Sequence, residues 1–125
     1  MLYQEHQKEY LHDMMNAIIQ SPEGRKRIDE YVQIGLHTPP DLGVSMLVMD
    51  FIAYDRRATL AKFNRPTLVV AAAQSAELEL QRAMSRQIRD AKLEIIDNAG
   101  HAVFIDQPQR FRTLLADFVQ RLGSK

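Results

Sequence analysis

The stretch that decides the fold of this chain is "AKLEIIDNAGHAVFIDQP", residues Ala91 to Pro108. Its opening, "AKLEIID", is typical of a β-strand. The following "NAGH" predicts a turn, because Gly100 allows the backbone to reverse direction sharply. Asp106, with Gln109 three residues later, matches a capping box and predicts the N-cap of a helix. The stretch therefore predicts a strand, a turn and a helix, with His101 carried on the turn.

The flanking segments extend this pattern in both directions. "RPTLVVAAA", residues Arg65 to Ala73, is rich in β-branched residues and predicts a strand buried on both faces, as in parallel sheets. Ser75 can cap a helix from about Ala76 to Ile88. The last helix has an apolar stripe and ends near Gly123. The order strand–helix–strand–helix predicts a βαβα unit with parallel strands.

The residues before this unit have the spacing of helices. Apolar side chains recur at helical intervals from Tyr3 to Ile19 and again from Ile28 to Leu36. The segment "LGVSMLVMDFIAY", Leu42 to Tyr54, is apolar on nearly every face and predicts a helix buried against more than one neighbour. We therefore expect an α/β protein of one domain overall, with a helical segment over residues 1–64 and the βαβα unit over residues 65–125.

The amino-acid composition excludes several kinds of binding function. The 125 residues include 16 basic and 16 acidic side chains, so no electrostatic attraction to nucleic acid or to an anionic membrane is expected. The chain has no cysteine, which excludes disulfides and cysteine-based zinc sites, and its histidines lack the spacing of metal ligands. We expect neither metal nor cofactor. The N-terminus does not resemble a signal peptide, and the apolar segments are shorter than the roughly 20 residues that span a bilayer, which predicts a cytoplasmic protein.

Three segments between Asp55 and Leu122 resemble, in order, the C-terminal part of the α/β-hydrolase superfamily: "DRRATLAKFNRPTLVV", "AKLEIIDNAGHAVFIDQPQRF" and "LLADFVQRL". The shared order is a Pro-led strand, a helix, a last strand, a Gly-His turn, an acid-x-Pro-x-x-Phe helix start and a terminal helix. The resemblance implies an incomplete α/β-hydrolase fold in which the earlier helices form a cap or lid. It places His101 at the position of the family's catalytic histidine.

The resemblance also implies a hydrolase for an ester or a related small carbonyl substrate, with lactonase, dehalogenase and C–C hydrolase chemistry left open. The family's nucleophile motif, G-x-S-x-G, is absent. The nearest string, "GVSML" with Ser45, lacks the second glycine. Ser75 falls where the family's acid follows the penultimate strand, and Glu77 or Glu79 could replace that acid. Both glutamates also have a structural explanation, since the helix dipole favours acidic residues in a first turn.

Structural alternatives remain for the other residues of interest. His101 could be a polar turn residue that bonds to a backbone group. Asp55 is interpreted as a partner for Arg56, Arg57 or Arg65 rather than as a catalytic acid. The methionines at helical spacing, Met14, Met15, Met46 and Met49, are interpreted as core residues, with an apolar acyl pocket as the alternative.

The predicted βαβα unit has one physical difficulty, because it supplies only two parallel strands. Parallel sheets are normally larger and covered on both faces, and an unpaired strand edge invites aggregation. We therefore expect the missing strands to come from a second chain, as in a homo-oligomer, or from a longer protein. Two hypotheses follow. The chain is part of a hydrolase in which His101 serves as general base and then acid, or it is a non-catalytic, hydrolase-like binding or assembly module that needs a partner chain.

Overall fold

The computed structural model describes residues 5–52, 55 and 57–123 of the chain. Tyr3 and Tyr54, which the helical patterns included, lie outside the described residues. The elements are α1 (Gln7–Ile18), α2 (Pro22–Arg25), α3 (Ile28–Gly35), α4 (Pro40–Ile52), α5 (Arg57–Leu60), β1 (Thr67–Ala72), α6 (Leu78–Gln87), β2 (Ala91–Ile96), α7 (Val103–Asp106) and α8 (Pro108–Gly123).

The sheet of the described residues has two parallel strands, with Thr67 opposite Ala91 and Ala72 opposite Ile96. Helix α6 connects the strands and packs on both, and α8 packs on β2. This mixed α/β architecture, with helices first and an incomplete parallel sheet after them, confirms the predicted fold class.

Two clusters of buried side chains form the core. The first joins α1 and α3 to the residue that follows His101; its buried members are Leu11, Ile19, Ile28, Val32 and Ala102. The second lies between the sheet, α7 and α8; its buried members are Ala72, Ile96, Ala99, Val103 and Leu114. Because both clusters include residues next to the Gly-His turn, this turn lies where the helical half meets the sheet.

The capping box predicted at Asp106 is wrong. Asp106 is the last residue of α7, only 6% exposed, and α8 begins afterwards at Pro108. The Asp106 carboxylate accepts hydrogen bonds from the backbone N–H groups of Gln20, Ser21 and Gly100. These amides belong to two other segments, and without Asp106 they would have no acceptor once folding removes them from water. The contact with three amides is therefore favoured over a local cap at the start of α8. Pro108 has no N–H to cap at the start of α8.

The predicted burial of the Leu42–Tyr54 segment is also wrong within this chain. Its residues as far as Ile52 belong to α4, but Met46, Met49 and Ile52 are 61%, 63% and 67% exposed. Neither buried cluster of the described residues contains an α4 side chain. The physical reason is that an apolar surface all around a helix selects no single face for docking, whereas α1 and α3 each present one apolar side to the other.

Candidate active site

The candidate site is formed by the two loops that follow the strands. Because β1 and β2 are parallel, both loops lie at the carboxyl edge of the sheet, where α/β proteins place their chemistry. Backbone bonds hold the loops together: the N–H of Ala73 donates to the carbonyl of Ile96 at 2.9 Å, and the N–H of Gln74 donates to that of Ala99 at 3.2 Å. The loop with Ser75 and Glu77 is therefore fixed beside the loop with His101.

The turn that carries His101 is shaped by Asn98 and Gly100 in different ways. Asn98 takes the left-handed backbone conformation with φ 53°, which asparagine tolerates better than most residues. Gly100 does not have a positive φ, and the residues in the turn conformation are Asp97 and Asn98. The role of Gly100 is close approach: a Cβ there would lie 2.6 Å from the backbone oxygen of Ile18.

Bonds on either side of His101 tie this turn to the rest of the molecule. The N–H of Gly100 donates to Asp106 Oδ2 at 2.7 Å, and the N–H of Ala102 donates to the carbonyl of Ile18 at 3.0 Å. The His101 side chain, between these anchors, is 56% exposed. The backbone of the histidine is therefore held while its imidazole remains accessible.

The structure brings His101 together with Glu77. The distance from His101 Nδ1 to Glu77 Oε2 is 3.5 Å. The Ser75 hydroxyl donates to the same oxygen at 2.5 Å and accepts the N–H of Glu77 at 3.2 Å. The three side chains therefore form one polar cluster that spans the two loops.

The charge state of Glu77 suits this arrangement. The Ser75 hydroxyl is the largest cause that lowers the pKa of Glu77, followed by the backbone N–H of Glu77 itself and by the His101 imidazole, while burial acts in the opposite direction. An ionised carboxylate at Nδ1 leaves the other ring nitrogen, Nε2, for proton transfer. General acid–base chemistry by a histidine requires an accessible ring nitrogen of this kind.

The other candidate residues lie apart from this cluster. The Ser45 hydroxyl donates to the carbonyl of Asp41 inside α4 at 2.8 Å, and no bond between Ser45 and His101 is present among the described residues. Glu79 pairs with Arg82 on α6, Nε to Oε1 3.1 Å.

Asp55 pairs with the guanidinium of Arg57, Nε to Oδ1 2.9 Å, and the hydrogen bonds from Arg57 lower the pKa of Asp55 to about 2. This pair agrees with the structural interpretation of Asp55, and Arg56 lies outside the described residues. In the described ranges we find no group of three or more histidine, cysteine or acidic side chains arranged to hold a metal ion. In the same ranges, no helix is long and apolar enough to cross a bilayer.

Asp106 is the site-forming residue that sequence reasoning misassigned. Burial raises the pKa of Asp106, but hydrogen bonds from the amides of Ser21, Gln20 and Gly100 outweigh burial, and the net shift is downward. Its carboxylate therefore stays charged while it joins the end of α1 to the His101 turn. The local sequence holds no signal for this contact, since Ser21 is 85 positions away in the chain.

Proteins of known sequence and structure share the fold of this chain. No protein-family model matches the chain. Over 80 residues it is 25% identical to monoacylglycerol lipase ABHD6 of Bos taurus, a match covering 62% of this chain and 24% of that protein. Among solved structures, it matches an esterase from Exiguobacterium antarcticum with a TM-score of 0.82 and 17% identity over 93% of this chain and 44% of the esterase.

Two further structures show the same likeness. A bromoperoxidase from Bacillus anthracis matches with a TM-score of 0.78 and 18% identity, over 92% of this chain and 44% of the other. A thermophilic esterase from Thermogutta terrifontis matches with a TM-score of 0.76 and 21% identity, over 95% of this chain and 46% of the other. The chain spans less than half the length of each of these proteins. Together with the parallel strands, the likeness shows that this chain has part of an α/β-hydrolase fold.

Proposed function

We propose that the chain provides the histidine and its acid partner for an α/β-hydrolase-type reaction on an ester or a related small carbonyl substrate. The observation that carries the proposal is the 3.5 Å contact between His101 Nδ1 and Glu77 Oε2 at the carboxyl edge of the sheet. Several of the proteins of similar fold are named as esterases, and the curated relative is named as a lipase, which supports the substrate class.

In this proposal Glu77 orients the imidazole of His101 and stabilises its protonated form. Nε2 accepts the proton from a nucleophile's hydroxyl as the oxygen attacks the carbonyl carbon, and the same proton then passes to the departing alkoxide. The nucleophile and the oxyanion-binding donors come from another polypeptide segment. Ser45 is the alternative nucleophile within this chain, and it would have to leave its bond to Asp41 to reach His101.

The test uses an activated ester, because a good leaving group needs the least help from a dedicated nucleophile. The His101–Glu77 pair can then act on the ester by deprotonating water. We expect His101→Ala to lower the hydrolysis rate of the purified chain about a hundredfold, the lower end of the range for loss of a general base. His12→Ala is the matched control, since His12 is an exposed histidine on α1. Equal rates for the wild-type chain and His101→Ala would exclude catalysis by this polypeptide alone.

A second candidate function, a non-catalytic assembly module, is favoured by the outer edge of β1. The N–H of Thr67 donates to Asp90 at 2.8 Å and that of Ala73 donates to Ile96, so alternate residues of β1 bond to β2. By this alternation the backbone groups of Leu68 and Val70 face the opposite side of the strand.

Charge distinguishes the two edges of the sheet. β1 carries no charged residue, whereas β2 carries Lys92 and Glu94, which form an ion pair. Charged side chains protect edge strands from pairing, and β1 lacks this protection. We propose that a strand from outside these 125 residues, either in a second copy of this chain or in a further segment of a longer protein, pairs with β1.

Light scattering in solution tests self-association at β1. If a second copy completes the sheet, the measured mass will be at least double the 14.4 kDa of one chain. Leu68→Pro should lower this mass, because it removes an outward N–H and leaves the bonds to β2 in place, while Leu68→Ile should not. A stable monomer for the wild-type chain would contradict the homo-oligomer.

A further inference from the structure

We infer that Ser75 is a positioning residue, whose hydroxyl holds the Glu77 carboxylate against His101 and so determines which ring nitrogen of the histidine carries the proton. The inference rests on the proposed pairing of Glu77 with His101. It gives a role to a residue that stands where a catalytic acid was expected but cannot ionise to serve as one.

The two bonds between Ser75 and Glu77 fix the glutamate at both ends. The Ser75 hydroxyl accepts the backbone N–H of Glu77 at 3.2 Å and donates to Oε2, at the tip of the same side chain, at 2.5 Å. The Glu77 side chain is 52% exposed, so neighbouring side chains do not restrict it by close packing. A glutamate in such a position samples many rotamers unless a hydrogen bond selects one.

The rotamer selected by Ser75 directs Glu77 to the other loop. The oxygen that accepts the Ser75 hydroxyl also lies 3.5 Å from His101 Nδ1. A carboxylate oxygen has two lone pairs and can accept from both donors at once. The serine therefore need not compete with the histidine for Oε2, and it holds that oxygen 3.5 Å from Nδ1.

The consequence for His101 is a defined tautomer. The hydrogen bond made by one ring nitrogen determines the state of the other, so a carboxylate at Nδ1 favours the Nδ1–H form and leaves Nε2 unprotonated. The lowered pKa of Glu77, to which the Ser75 hydroxyl contributes most, keeps the carboxylate charged for this purpose. A histidine base needs this form, since the Nε2–H tautomer cannot accept a proton at Nε2.

The test measures the ring ¹⁵N resonances of His101 in the full chain at alkaline pH, where the imidazole is neutral. We expect the wild-type chain to populate mainly the Nδ1–H form. Ser75→Ala should lower the ratio of Nδ1–H to Nε2–H about threefold, and Glu77→Ala should lower it at least as much. Ser75→Thr retains the hydroxyl and should restore the wild-type ratio. His12, whose ring contacts Asn16 on α1, is the internal control and should keep its tautomer in every variant.

The outcomes separate this inference from the proposed pairing. If Glu77→Ala changes the tautomer ratio and Ser75→Ala does not, the role of Ser75 is overturned and the pairing stands. If neither substitution changes the ratio, the pairing itself is wrong, and the inference fails with it. Urea unfolding of Ser75→Ala provides the structural control: a loss of stability without a change in tautomer would show that Ser75 only supports the loop, which also overturns the inference.

Discussion

The helices α1 to α3 and the helix α4 differ in how they are attached to the rest of the molecule. α1 and α3 bury one apolar face each, and the end of α1 is bonded to Asp106 and to the His101 turn. α4 is more apolar in sequence, yet its methionines and Ile52 are mostly exposed. A one-sided apolar face and a few directional polar bonds therefore specify docking better than hydrophobicity alone.

The largest expected effect comes from Asp106→Ala. The substitution leaves the half-buried amides of Gln20 and Ser21 and the buried amide of Gly100 without their acceptor, at a cost of about 3–5 kcal/mol in the free energy of unfolding. Urea unfolding measures this cost. Asp106→Asn keeps one carbonyl oxygen and should cost less. A loss below about 1 kcal/mol in Asp106→Ala would show that the α1–α3 region is not anchored by this carboxylate.

A pair of truncations compares the two helical regions directly. Leu11 of α1 is 6% exposed in the first core cluster, so Leu11→Ala should cost about 2–4 kcal/mol of stability. Met46 of α4 is 61% exposed, so Met46→Ala should change stability by less than about 0.5 kcal/mol. Urea unfolding at low protein concentration measures both changes in stability. A large loss for Met46→Ala would mean that α4 is covered in solution, by a second copy or by another part of the same molecule.

A smaller effect is expected at Gly100, where the His101 turn meets α1. Gly100→Ala places a Cβ 2.6 Å from the Ile18 carbonyl oxygen, which belongs to the backbone and cannot rotate away, and should cost about 1–3 kcal/mol. The matched control is Gly123→Ala, because a Cβ there meets nothing within 4 Å. Thermal unfolding of both variants checks the difference. Equal melting temperatures would mean that the turn does not approach α1 closely.

The smallest expected effect is the contribution of Asp106 to the pH dependence of the free energy of unfolding. Its pKa is lowered in the folded chain from the usual 3.8, so its stabilising contribution is complete above that value. The contribution is lost as the pH falls through the folded-state pKa, because the unfolded state then binds the proton more readily. Urea midpoints of the wild-type chain should therefore fall more steeply on acidification below 3.8 than those of Asp106→Asn. Parallel curves would contradict this role.

Much of the βαβα unit could be predicted because its signals are local. The β-branched residues around Val69 and the strand before Asp97 were predicted within a residue or two of β1 and β2. The start of α6 at Leu78 is later than predicted, because the Ser75 hydroxyl bonds to the N–H of Glu77 ahead of the helix. Such shifts are common where a side chain offers the backbone an alternative to helical bonding.

Part of the candidate site could be predicted as well. The resemblance of its turn to that of the α/β-hydrolases identifies His101 as a candidate, and Glu77 is one of two glutamates considered as its acid. The sequence could not choose between Glu77 and Glu79, because both fit a helix start equally well. Which glutamate faces His101 depends on the side-chain rotamers and on the distance between the loops that follow β1 and β2. Glu77 lies 3.5 Å from the histidine ring, whereas Glu79 pairs with Arg82.

Periodicity and turn residues act over a few positions, so the order of the elements, the parallel strand pair and the location of His101 on a turn follow from local sequence. The anchoring of the helical half by Asp106, the approach of Glu77 to the histidine and the exposure of α4 follow from tertiary contacts. Each of these depends on groups that are distant in the chain and close in space. Buried polar groups require partners wherever they occur, and an apolar helix requires a surface to cover it.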